Sequence, residues 1–183
     1  MMDIKHFDLN DNIKEALNAD KPIVALESTL ISHGLPYPEN IQVAQSSINA
    51  IKEAGSIPVI IGIIKGKIKV GLDNEDLEIF SKSKNIEKVS MHNLALSLSN
   101  KINAATTVAS TIYIASKIGI KFFATGGIGG VHLEAEKTFD VSSDLNELSK
   151  TTMYIVCSGA KSILDLDKTY EKLETLGIPR IGF

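Results

Sequence analysis

Residues 22–64 read PIVALESTLISHGLPYPENIQVAQSSINAIKEAGSIPVIIGII, and their order decides the fold. PIVALE is a short, continuously apolar run closed by a glutamate, which predicts a buried strand. STLISHGLPYP crowds two prolines and a glycine together and predicts a loop. In PENIQVAQSSINAIKEAG, residues Ile41, Ala44, Ile48 and Ile51 fall on one helical stripe. Pro38 suits the first position of that helix and Gly55 its stop. IPVIIGII is apolar throughout. A buried strand, a helix and a second buried strand in succession predict a βαβ unit with parallel strands.

The same alternation continues on both sides. Upstream, DNIKEALNA predicts a short amphipathic helix with an Asn or Asp cap. Downstream, KIKVGL predicts a strand reached by the tight turn Lys65-Gly66-Lys67. DNEDLEIFSKS predicts a polar helix, EKVS a short strand, and TTVASTIYIASKIG a buried helix despite its β-branched residues. KFFATG and TTMYIVC predict strands, with SSDLNELS a helix between them. KSILDLDKTYEKLETLG has helical spacing and a closing Gly177, which puts Lys161 at or just before a first turn. IPRIGF predicts the start of a further strand. The fold class is therefore α/β: one domain over residues 1–183, with a mainly parallel sheet and helices on both faces, an α/β/α sandwich expected to be incomplete at the C-terminus.

Composition narrows the function classes. A chain of 183 residues that is 44% apolar can bury one real core. Its net charge of −3, without a basic run, gives no footprint for nucleic acid. The single cysteine, Cys157, excludes an internal disulfide and points to a reducing, cytoplasmic compartment. MMDIKHFDLNDNIKEAL is too polar for a signal peptide, and IPVIIGII is too short to cross a membrane. A small molecule is the expected partner.

In open α/β sheets ligands bind beyond the carboxyl ends of the strands. Three strands end there in unusual chemistry: VALEST, FATGGIGGVH and IVCSGAKS. Gly126, Gly127, Gly129 and Gly130 let backbone N–H groups converge as an anion cradle, with Thr125 and His132 as side-chain donors; the alternative is a tight loop. The spacing is not the dinucleotide fingerprint, since its third glycine would fall on His132. Nor is SGAKS a Walker A loop, since Ala160 precedes the lysine.

Lys161 has three readings: a solvated lysine, a point charge for phosphate, or an amine made nucleophilic by a helix N-terminus and partial burial. Glu27, closing an apolar strand, is either a general acid with a raised pKa or a structural carboxylate paired with Lys21 or Lys161. Asp140 and Asp144 could hold a hard divalent cation. Alternatively, Ser142 or Ser143 caps a helix and Asp144 complements its first turn. His33, His92 and Cys157 have no ligand-like or base-paired spacing and read as loop or core residues.

Together, VALESTLISHGLPYPEN, ATTVASTI, FATGGIGGVH, TFDVSSDL and CSGAKSILDL closely resemble the pseudouridine-5′-phosphate glycosidase family, which includes the indigoidine-synthase-A-like proteins. The similarity runs from about Lys21 to the C-terminus and matches the N-terminal two-thirds of the family pattern. It implies cleavage of the C–C glycosidic bond of pseudouridine 5′-phosphate to uracil and ribose 5-phosphate, with a divalent metal, usually Mn²⁺, and a homotrimer. Lys161 resembles the nucleophile that forms an iminium with the ring-opened sugar, and Glu27 the proton donor. Asp140 resembles the metal ligand, otherwise surrounded by waters. Lys88, Val108, Ser142, Ser143 and Asp144 resemble substrate contacts, and Thr125 and His132 phosphate contacts.

Two stretches depart from the family: Met91, His92 and Asn93 replace basic residues after EKVS, and Ala104-Ala105 follow Asn103 where Asn-Gly is usual. Two rival readings share the same residues. One is a non-catalytic remnant that binds sugar phosphate or needs a partner chain. The other is a metal-independent Schiff-base aldolase.

Overall fold

The computed structural model describes residues 6–182. Strand β1 (Phe7–Leu9) and helix α1 (Asp11–Asn18) precede the βαβ unit, which is formed by β2 (Ile23–Leu26), α2 (Glu39–Glu53) and β3 (Ile57–Ile64). As the opening stretch predicts, β2 and β3 are parallel, with Ile23 opposite Ile57 and Leu26 opposite Ile60. Helix α2 begins at Glu39, with Pro38 at its N-cap, and buries Ala44 against a cluster of Leu26, Ile31, Ile60 and Phe80; Ile41, Ile48 and Ile51 pack on the same cluster. The loop STLISHGLPYP contains one π-helical turn, Leu30–Gly34. Buried Asn40 fixes that turn by donating from its side-chain amide to the carbonyls of Ile31 and Ser81.

Only the first half of β3 pairs with β2. From Ile61 onward it pairs antiparallel with β4 (Lys67–Val70) through a two-residue turn, Lys65-Gly66. Both turn residues have positive φ, 48° and 73°, the combination whose twist matches a hairpin. Strand β1 pairs parallel with β4. Helix α3 (Asn74–Lys82) carries a reciprocal capping box between Asp73 and Asp76. Strand β5 (Glu87–Val89), helix α4 (Leu94–Ser99), strand β6 (Ala104–Thr106) and helix α5 (Val108–Lys117) follow. β6 joins the sheet against Gly62 and Ile63 of β3.

Strand β7 (Phe122–Ala124) lies parallel beside β2, and β8 (Tyr154–Val156) parallel beside β7. Helices α6 (Ala135–Thr138) and α7 (Ser143–Lys150) connect them, and α8 (Leu166–Thr175) comes last. The main path through the sheet is β1-β4-β3-β2-β7-β8. The mainly parallel α/β architecture is as expected.

Two expectations need correction, and one feature adds to the expected architecture. The last helix begins at Leu166, where Asp165 caps it by accepting the Lys168 N–H, so Lys161 lies in a loop and not in a first turn. Residues 178–182 form no strand, and Phe183 lies outside the described residues. The two sheet faces are also unequally covered. Phe123 is fully buried on one face, whereas Phe122, Tyr154 and Val156 on the other are 42%, 68% and 51% exposed.

Candidate active site

Glu27 stands immediately after β2, and a hydroxyl network sets the chain there. The Ser28 hydroxyl donates to the Ile61 carbonyl (2.7 Å) and accepts the Thr106 N–H (2.9 Å). The Thr106 hydroxyl donates to that same carbonyl (2.7 Å), Thr111 donates to Thr106 (2.9 Å), and the Thr29 hydroxyl donates to the Thr106 carbonyl (2.7 Å). These groups are buried at the point where β3 leaves β2 and turns to β4 and β6. They satisfy backbone groups that the diverging strands leave unpaired. The ends of β2 and β6 are thereby locked to the middle of β3 below the site.

Glu27 is 8% exposed. Burial pushes its pKa above the ordinary glutamate range. A hydrogen bond from Thr125 and the positive charges of Lys161 and Lys88 oppose that rise, and the negative charge of Asp144 adds to it. The Thr125 hydroxyl donates to Glu27 Oε1 at 2.6 Å. Glu27 makes no salt bridge among the described residues, so neither Lys21 nor Lys161 pairs with it directly. Glu27 and Thr125 line a mostly apolar cleft of about 340 Å³ between α2 and the sheet, with Leu26, Ile31, Ala44 and Ile51.

The glycine-rich segment after β7 runs directly against the segment after β8. Ile128 N–H donates to the Gly159 carbonyl and Lys161 N–H to the Ile128 carbonyl, both at 3.0 Å. A Cβ on Gly127 would lie 3.2 Å from Lys161 Cγ, so the bare glycine gives the lysine stem its room. Lys161 is exposed. Its neighbour is the glycine loop, not the end of a helix, and activation by a helix dipole therefore has no basis here.

Asp144 is buried at 5% exposure and occupied on both oxygens. Oδ1 accepts the Ala109 N–H and Oδ2 the Gly129 N–H, each at 2.8 Å. One carboxylate thus ties together the first turn of α5, beside Val108, the glycine loop and the first turn of α7. A Cβ on Gly129 would collide with Ser142 and approach Asp144 Oδ2 to 2.7 Å, so this approach requires glycine. Ser142 caps α7, as one reading of the sequence has it, accepting the Asp144 N–H. Ser143 shares a 2.7 Å hydrogen bond with Ser90, which brings the start of α7 to the end of β5.

Lys88 is exposed on β5, and Asn93 holds the following turn by donating to the Lys88 carbonyl and accepting the Ser90 N–H. One of the departures from the family pattern is thus a turn residue. At the far end of the glycine loop, His132 Nδ1 lies 3.7 Å from Asp140 Oδ2, and the His132 N–H donates to the Asp140 carbonyl. No direct contact joins this pair to Glu27 among the described residues.

The Asp140 side chain is 62% exposed, and no group of three or more His, Cys, Asp or Glu residues converges among the described residues. A lone accessible carboxylate suits a hydrated divalent cation that keeps most of its waters. Among the described residues, His33 and His92 are exposed, and Cys157 is a half-buried neighbour of the core.

Sequence reasoning missed Thr169. Its buried hydroxyl accepts the Val131 N–H (2.9 Å) and donates to the Asp165 carbonyl (2.6 Å), pinning α8 to the glycine loop. A lone threonine in a helix gives no signal of that partnership.

The sequence matches the family profile described as indigoidine synthase A like protein over residues 12–183. The chain belongs to that family. It is 54% identical to a pseudouridine-5′-phosphate glycosidase of Staphylococcus aureus over 179 residues, covering 98% of this chain and 58% of the relative. It is 55% identical to one from Brachyspira hyodysenteriae, covering 96% and 57%.

Among solved structures, the prealnumycin C-glycosynthase AlnA in complex with ribulose 5-phosphate superposes with a TM-score of 0.87 at 43% identity, covering 94% of this chain and 56% of that one. An indigoidine synthase A-like protein of Thermotoga maritima superposes at 0.85 with 40% identity, covering 95% and 57%. The chain thus spans somewhat over half the length of these relatives. Among the described residues, no helix is long and apolar enough to cross a membrane.

Proposed function

We propose that the chain carries the sugar-handling part of a pseudouridine-5′-phosphate glycosidase, with Lys161 as nucleophile and Glu27 as proton donor. The observation that carries this reading is a buried carboxyl of raised proton affinity that feels the charge of an accessible lysine held against a glycine loop. The names of the curated relatives support the substrate, and the ribulose 5-phosphate bound to AlnA supports a pentose phosphate as the kind of ligand.

In this reading the Lys161 amine forms a bond to C1′ while the bond from C1′ to the ring oxygen breaks. Glu27 supplies the proton that this oxygen takes. The nitrogen lone pair then forms C=N as the bond from C1′ to uracil C5 breaks, and C5 takes a proton. Water adds to the iminium carbon, the lysine leaves, and ribose 5-phosphate is released. A general acid must be protonated near neutrality to act this way, which burial of Glu27 favours. The C–C bond offers no leaving heteroatom, so a covalent amine adduct supplies the electron push.

His132 and the glycine loop are assigned to the phosphate, and Lys88, Val108, Ser142 and Ser143 to the substrate. Asp144 acts through the loop that it clamps. Asp140 would hold the Mn²⁺, which would supply positive charge beside the anionic substrate. Assembly as a homotrimer belongs to the same reading.

The test is uracil release from pseudouridine 5′-phosphate with Mn²⁺, followed chromatographically, for wild type and Lys161→Arg. Release by wild type alone supports the reading, and equal release by both refutes it. Chelation separates the proposal from an aldolase, whose turnover would survive removal of metal.

A further inference from the structure

We infer that Thr125 is the positioning residue of Glu27: its hydroxyl holds the proton donor's carboxyl at the wall of the cleft. The inference rests on the proposed role of Glu27. A threonine hydroxyl has one hydrogen to give. Here it goes to Glu27 Oε1 at 2.6 Å, within the range of bonds to an ionised carboxylate. Among the described residues this is the hydrogen bond that the Glu27 side chain makes.

The threonine is itself fixed. Its backbone N–H donates to the Val156 carbonyl at 3.0 Å, which pins the end of β7 to the end of β8. β7 is also in register with β2, Leu26 opposite Ala124, so Glu27 and Thr125 are the next residues of two paired strands. The pairing of neighbouring strand ends therefore sets the bond, and loop adjustment is not needed to make it. When Glu27 is protonated, the same hydroxyl can still donate to the carboxyl's carbonyl oxygen, so one rotamer serves both protonation states.

Three charged groups also act on Glu27. Lys161 and Lys88 favour its ionised form, and Asp144 opposes it. They act through space, and Thr125 is the group in contact. Removing its hydroxyl should therefore shift the titration of Glu27 upward while leaving the phosphate donors in place.

The test is the side-chain carboxyl titration of Glu27, read by ¹³C NMR on the full chain labelled at glutamate Cδ and assigned with Glu27→Gln. Thr125→Val should raise the Glu27 midpoint by about one pH unit. Thr125→Ser should keep the wild-type midpoint. Thr125→Ala is the second variant should valine not fold, with the same expected shift.

With pseudouridine 5′-phosphate as probe, Thr125→Val should lower kcat about tenfold with KM unchanged, the behaviour of a lost transition-state interaction. An unmoved Glu27 midpoint in the valine or alanine variant would overturn the inference, as would a raised KM with kcat intact, the mark of a phosphate contact. The NMR titration needs no turnover. It therefore separates failure of this inference from failure of the proposed activity.

Discussion

Asp144→Ala should destabilise the chain far more than an ordinary change at the start of a helix. The carboxylate accepts two backbone N–H groups, from Ala109 and Gly129, at 2.8 Å each, and the residue is 5% exposed. Alanine strands both donors in a buried site. Each stranded N–H costs about 1–3 kcal/mol, so the pair costs about 4 kcal/mol. That is a large share of the roughly 5–15 kcal/mol by which a domain is stable.

With a urea m-value of about 2 kcal/mol/M, the unfolding midpoint should fall by about 2 M. Asp144→Asn keeps one acceptor and should lose about half as much. The assay is urea unfolding followed by circular dichroism, with amide exchange at Ala109 and Gly129 as the local readout. An alanine variant within 1 kcal/mol of wild type, or unaltered exchange at those two amides, would refute the clamp.

Glu27→Gln should change the dependence of stability on pH. The folded-state pKa of Glu27 is raised above its ordinary value of 4.5 by burial, so the folded state binds the proton more tightly than the unfolded chain. The stability this gives is fully present below about 4.5 and is lost as pH rises through the folded-state value. Relative to wild type, Glu27→Gln should therefore gain stability as pH rises from about 4.5 through the folded-state value; a difference that stays constant with pH would contradict this.

Gly130→Ala should also be costly, because a Cβ there meets Thr169, with Thr169 Cβ only 3.0 Å away. Overpacking of this kind costs about 1–3 kcal/mol and should lower the thermal midpoint by several degrees. A variant with wild-type stability would show that α8 does not pack on the loop as described.

Much of this architecture is legible in the residues themselves. The apolar runs of β2 and β3, the stripe on α2, the Lys65-Gly66 turn and the Ser142 cap each follow from a local rule, and each stands where that rule puts it. The start of α8 was obscured because KSIL has helical spacing, and Asp165 outcompetes it as a cap with a side-chain hydrogen bond to the Lys168 N–H. β6 was hidden because Ala104-Ala105-Thr106 has weak strand preference and exists through its pairing with β3 and β5.

The site divides in the same way. Glu27 and the glycine loop announce themselves by being polar or flexible where an apolar strand ends. The partnerships of Thr125 with Glu27 and of Asp144 with two distant amides depend on strand register, which composition does not encode. The uneven cover of the sheet, with Tyr154 and Val156 exposed, likewise depends on which helices lie on which face.

The central claim is that Lys161 forms a covalent adduct with a pentose phosphate. Borohydride trapping with ribose 5-phosphate, followed by peptide mass spectrometry, measures this directly. The account predicts a reduced adduct on the peptide containing Lys161 that disappears in Lys161→Arg. A folded chain with no adduct, or one that carries the adduct on another lysine, would contradict it.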